Sequence, residues 1–156
     1  MKLNLKRILC PVDFSESSDH ALRYAAALAE TFGAELTLLH VVAPVIAALP
    51  GETALPDTLQ ANVDELVDAC RERLEQTVGK LAASGIPVQH KILNGVPFVE
   101  IIRYSRDTEM DLIVMGTHGR TGLGHLLIGS VAERVVRKSP CPVLTVKHPG
   151  HEFVLP

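Results

Sequence analysis

The sequence predicts an α/β fold: a doubly wound, mainly parallel five-stranded sheet with helices on both faces. Two observations carry this. Apolar runs of strand length alternate strictly with stretches whose apolar residues recur every three or four positions, giving five strands separated by four helices. The strand runs are also nearly continuous in apolar character, as expected of parallel strands covered on both sides.

The first run, about residues 6–12 (KRILCPV), is short and is followed by Asp13, Ser15 and Ser17, so it reads as a buried strand leading into a helix with Ser15 as N-cap. Leu22, Ala25, Ala29 and Phe32 then hold helical spacing until Gly33 stops the pattern. The run at 36–42 (LTLLHVV) has strand length and β-branched content. The Pro- and Gly-rich stretch 43–57 after it is longer than most connections, which marks it as mobile or functional. From about 58 to 84, Leu59, Val63, Leu66, Cys70, Leu74, Val78 and Leu81 form one stripe of a long amphipathic helix closed by Gly85. A short strand at 87–93, a helix at 97–106 with proline in its first turn, and a strongly apolar strand at 111–115 (DLIVM) come next. A helix at 130–138 and a strand at 143–146 complete the alternation. One domain over residues 1–149 with a short tail at 150–156 accounts for the whole chain.

Composition excludes several classes. The chain is 47% hydrophobic and 21% charged, near the average for globular chains, so neither disorder nor a fibrous class is indicated. Net charge is −3 with both signs interspersed, which argues against a general nucleic-acid or membrane-surface binder; any anion site must be local. Apolar runs fall short of a membrane span, and the opening MKLNLKRILCPVDF does not follow a signal-peptide pattern. Cys10, Cys70 and Cys141 are an odd number without close pairing, the pattern of reduced thiols in the cytoplasm.

In open parallel sheets, ligands bind beyond the carboxyl ends of the strands where the winding direction reverses. The first strand ends at Pro11, Val12 and Asp13, and the fourth runs straight into a glycine-rich stretch from Met115 and Gly116 to Gly124, with a helix starting at Gly129 and Ser130. Glycines let backbone amides approach closely, and a helix N-terminus offers unpaired N–H groups with a favourable dipole, so this stretch suits a phosphate-containing ligand. His118 and Arg120 add donors and charge. Neither G-x-x-x-x-G-K-[ST] nor G-x-G-x-x-G is present at these positions.

Gly116, Gly119 and the pair Gly129 and Ser130 resemble the G-x2-G-x9-G-[ST] signature of ATP-binding universal stress proteins. The opening ILCPVDFSESSDHAL, the segment DLIVMGTHGRTGL and the close SPCPVLTVK are similar to that family in order and spacing, over roughly residues 5–147. The resemblance implies a Rossmann-like fold of the adenine-nucleotide-binding type and a stress-response regulatory role. It also implies that Pro11, Val12, Asp13 and Val41 surround adenine and ribose, with Met115 and Gly116 as the floor. His118, Gly119, Arg120, Gly129, Ser130 and Val131 would hold the phosphates, mostly through backbone N–H groups. The open edge of the short uncharged VLTV at 143–146 is covered either by pairing with a second copy, the homodimer through the last strand that the resemblance also implies, or by the tail HPGHEFVLP folding back within one chain.

Each of these readings has a plainer alternative. Asp13 either accepts ribose hydroxyls or caps the following helix. Gly116, Gly119 and Gly129 are either turn glycines or positions of ligand approach, and their register with a strand end and a helix start favours the latter. His118, His125, His148 and His151 do not have zinc-site spacing and read as loop residues. Cys10 and Cys141 read as small core residues, and Ser15 and Ser130 lack the nucleophile elbow of serine hydrolases. A slow ATPase or nucleotidyl-transfer enzyme is the alternative function, disfavoured because no acidic pair near the loop could hold Mg²⁺. Mg²⁺ or Mn²⁺ accompanying ATP would be held mainly by the phosphates and water.

Overall fold

The computed structural model describes residues 4–43, 57–117 and 129–147. Among them the chain runs β1 (Arg7–Pro11), α1 (Glu16–Phe32), β2 (Glu35–Val42), α2 (Asp57–Ala83), β3 (Val88–Asn94), α3 (Pro97–Asp107), β4 (Leu112–Gly116), α4 (Ser130–Lys138) and β5 (Val143–Val146). The predicted alternation is present, with ends shifted by a residue or two, where terminal hydrogen bonds are weakest. Most of the stretch 43–57 and all of the tail beyond 147 lie outside the described residues.

The strands form one sheet in the order β3-β2-β1-β4-β5, with every neighbouring pair parallel. Ile8 of β1 sits opposite both Leu36 of β2 and Leu112 of β4, so β1 is central. The period of two along each strand divides the core into two layers. Ile8, Cys10, Val12, Leu36, Leu38 and Val114 face α1 and α2, whereas Leu9, Leu39, Ile113 and Met115 face α3 and α4. Helices therefore cover both faces, as the sequence predicts.

Local sequence sets how closely each helix sits. Ala21, Ala25 and Ala29 recur every four residues on the inner side of α1 and are fully buried, so their small side chains bring the helix close to the sheet. Ser15 caps α1 by accepting a hydrogen bond from the Ser18 amide at 3.2 Å, and Gly33 ends it in the left-handed region at φ 64°. On α2, Leu74 is buried, and Val78 and Leu81 pack against the same layer. Leu66, predicted to belong to that core stripe, is instead 63% exposed. It lines a cleft beyond the strand ends. The edge strand β3, VQHKILN, is likewise only partly apolar, with half-buried and exposed positions alternating from Val88 to Ile92. Cys141 is half-buried against the α3/α4 layer. No helix among the described residues is long and apolar enough to cross a membrane.

Candidate functional site

β1 and β4 are neighbours in the sheet, yet β1 leads through α1 to one side and β4 leads through α4 to the other. Their carboxyl ends diverge there and leave a cleft of about 540 Å³. Three strand ends build its base: Pro11, Val12 and Asp13 at the end of β1; Leu39 to Ala43 at the end of β2; Met115, Gly116 and Thr117 at the end of β4. Gly129, Ser130 and Val131 close one end at the start of α4, Leu66, Val67 and Cys70 form a wall on α2, and Pro97 and Ile101 face them from α3. The walls are mainly apolar, and the polar groups gather toward the β1, β4 and α4 ends, which suits a ligand with a flat apolar body and an anionic end.

The two helices starting at this cleft differ in their ends. α1 is closed by its own sequence: besides the Ser15 cap, Asp13 Oδ1 accepts from the Ser15 amide at 3.0 Å and from the Ser15 hydroxyl at 2.6 Å. Among the described residues, α4 has Gly129 as its N-cap and no side-chain capping bond. The first amides of a helix have no partner within it, so those of Ser130 and Val131 are donors placed at the cleft wall. The Gly129 amide donates to the Thr117 carbonyl at 2.6 Å, and the Thr117 amide donates to the Val146 carbonyl at 3.1 Å. This anchors both ends of the glycine-rich stretch beside β5.

Pro11, Val12, Asp13, Val41, Met115, Gly116, Gly129, Ser130 and Val131 are thus brought together from three strands and a helix start. His118, Gly119 and Arg120 lie outside the described residues. Of the two alternatives for Asp13, capping of α1 is performed by Ser15, with Asp13 bracing the cap from the cleft side. Gly116 lines the cleft, and packing also requires its lack of a side chain: a Cβ there would lie 2.8 Å from the backbone oxygen of Ser17.

Sequence reading missed His40, Ser18, Thr117 and the α2 and α3 walls. The α2 and α3 residues carried no signal, since an apolar residue on an amphipathic helix looks the same whether it meets the sheet or a cleft. His40 did carry one, as a single imidazole within LTLLHVV. It is buried, and its Nδ1 lies 2.8 Å from the Val12 carbonyl. A carbonyl only accepts, so Nδ1 is the protonated nitrogen. The Phe14 ring packs against this imidazole with centroids 4.8 Å apart and the ring planes tilted by 36°, and the Arg73 guanidinium lies 4.6 Å from the Phe14 centroid. Phe14 holds this place with a left-handed backbone, φ 63°. Among the described residues no group of three or more His, Cys, Asp or Glu side chains could hold a metal ion.

Comparison with known proteins agrees with this architecture. The profile described as the universal stress protein family matches residues 4–147. Universal stress protein MJ0531 of Methanocaldococcus jannaschii is 38% identical over 150 residues, which cover 94% of this chain and 85% of that one. The solved structure of MJ0577, named in its own description as a hypothetical protein whose biochemical function was assigned from structure, superposes with a TM-score of 0.84 at 32% identity. It covers 95% of this chain and 99% of the other. Among more distant proteins that share the fold at 23% identity, a universal stress protein was solved in complex with cAMP (TM-score 0.68, covering 92% of this chain and 98% of that one). One from Archaeoglobus fulgidus was solved with dAMP (TM-score 0.63, 92% and 98%). With a family match spanning nearly its whole length and relatives above 30% identity, the chain belongs to the universal stress protein family.

Proposed function

We propose that this protein is a regulator that binds ATP in the cleft between the ends of β1 and β4. The observation that carries the reading is the start of α4, with no side-chain cap among the described residues, whose first amides meet a mainly apolar cleft at the point where the sheet reverses its winding. In this reading Pro11, Val12, Asp13 and Val41 surround adenine and ribose, and Met115 and Gly116 lie beneath them. The phosphates meet Gly129, Ser130 and Val131, with His118, Gly119 and Arg120 supplying the remaining donors. The residues present fit such a ligand: apolar walls for a base, a carboxylate at Asp13 for hydroxyls, and amide donors for anionic oxygens. Mg²⁺ or Mn²⁺ bound with the nucleotide is held chiefly by phosphates and water.

The role is regulatory rather than catalytic. Occupancy of the cleft beside the glycine-rich stretch alters a surface read by a second copy and by a downstream partner. The second copy pairs through β5, the edge strand beside the anchored ends of that stretch. Cys10, Cys70 and Cys141 are all free thiols, in keeping with a reducing cytoplasmic setting.

The test is to denature the purified protein, release any copurifying nucleotide and identify it, then follow added ATP for hours. Retained ATP with turnover at the uncatalysed background supports the regulator. Nucleotide-free protein that also fails to bind ATP in calorimetric titration overturns the ligand, and steady turnover overturns the role.

A further inference from the structure

We infer that His40 is a positioning residue for Asp13, fixing the direction in which Asp13 offers its carboxylate to the hydroxyls of a bound ribose. The inference rests on the reading that the cleft takes a ribonucleotide.

Val12 is the first residue beyond β1, and β2 holds both peptide planes that flank it. Its amide, part of the Pro11–Val12 peptide, donates to the Leu39 carbonyl at 2.8 Å, prolonging the ladder. Its carbonyl, part of the Val12–Asp13 peptide, receives the Nδ1 proton of His40 at 2.8 Å. Because a peptide unit is planar, fixing that oxygen fixes the Asp13 amide and Cα as well. A side chain thus continues the strand pairing by one further peptide, at the residue where the backbone turns away. Asp13 Oδ1 is then held from the other side by the Ser15 amide and hydroxyl. The carboxylate is defined both by its peptide and by one of its oxygens.

The imidazole is itself held in place. Phe14 covers one side of it, and Arg73 of α2 covers Phe14 while lying 3.8 Å from Asp19 of α1. The left-handed backbone of Phe14 is what brings its ring over His40, a conformation that non-glycine residues adopt only where the surroundings require it. These contacts run from α2 through Phe14 and His40 to the peptide that carries Asp13.

The test compares ATP with its 2′,3′-dideoxy analogue on the wild type, His40→Ala and His40→Asn by calorimetric titration. The asparagine amide nitrogen falls near the position of Nδ1 and can donate to the same carbonyl. The wild type is expected to prefer ATP. His40→Ala should lose about tenfold in ATP affinity, the effect of one hydrogen bond, and change by less than about twofold toward the analogue. His40→Asn should keep most of the preference. Because both ligands are measured on the same folded protein, a general loss of folded material lowers both alike. If the alanine variant does not fold, His40→Gln, whose amide nitrogen falls nearer Nε2, takes its place and should also lose the preference. Equal weakening toward both ligands overturns the positioning role. Equal wild-type affinity for both ligands overturns it too while leaving nucleotide binding standing. A wild type that binds neither overturns the nucleotide reading along with it.

Discussion

The end of β4 and the first turn of α1 meet at Gly116 and Ser17, where a Cβ on Gly116 would come within 2.8 Å of the Ser17 carbonyl oxygen. Ser17 is buried and its backbone belongs to a capped helix, so it cannot yield as a flexible side-chain tip would. Gly116→Val is therefore expected to destabilise the fold by about 2–3 kcal/mol, lowering Tm by roughly 5–10 °C. Thermal unfolding checks this. An unchanged Tm would show that the β4 end can move away from α1.

Gly129 offers the contrasting case. Its backbone, φ −65° and ψ 152°, is extended and open to any residue, and aspartate is a favoured N-cap. Gly129→Asp is expected to fold with Tm unchanged or raised by about a degree, since the new carboxylate can accept from the first turn of α4. The same carboxylate competes with phosphate oxygens for those amides and repels their charge, so ATP affinity should fall at least about tenfold. Calorimetric titration on the folded variant reads the result, and undiminished affinity would remove the α4 start from the phosphate site.

The thiol of Cys10 is fully buried under α1, and its pKa is pushed up from 9.0 to about 12, first by burial and then by the charge of Asp19. The folded state therefore keeps its proton while the unfolded state releases it above about pH 9. Stability from the neutral thiol is present below that pH and lost progressively toward pH 12, with a slope of roughly 1.4 kcal/mol per unit. Denaturant unfolding across this range should show a steeper alkaline decline in the wild type than in Cys10→Ala. Parallel declines would mean that the thiol is not held neutral. Alkylating reagents at pH 8 should likewise leave Cys10 unmodified until the protein unfolds.

Leu144 and Val146 share the edge strand, but they are not equivalent. Leu144 is 38% exposed, whereas Val146 is 6% exposed within the α1/α2 layer. Lysine at 146 would bury a charge and unfold the chain, so only Leu144→Lys tests pairing through β5. Sedimentation is expected to give a dimer for the wild type and a monomer for Leu144→Lys, with little change in Tm. A wild-type monomer, or a dimer indifferent to the lysine, would count against that interface.

Much of this molecule is written in local patterns. Ser15 and Gly33 mark the ends of α1 because a capping hydroxyl and a left-handed turn are needs of the chain within a few residues of themselves. Strand alternation, the parallel sheet and the glycine positions at the ends of β4 and α4 follow in the same way from periodicity and spacing. The α2 wall of the cleft was not legible, since Leu66, Cys70 and Leu74 lie on one helical stripe and only the reach of the sheet separates cleft from core.

The sequence by itself determined the fold class, the strand ends that line the cleft, and the spacing of Gly116, Gly119 and Gly129. Only the tertiary structure decided why Gly116 must lack a side chain and what the single imidazole of β2 does. Both depend on contacts between segments far apart in sequence: Ser17 against Gly116, and His40 against the carbonyl of Val12. A residue's local pattern carries its own backbone preference, but not the identity of the distant backbone that folding brings against it.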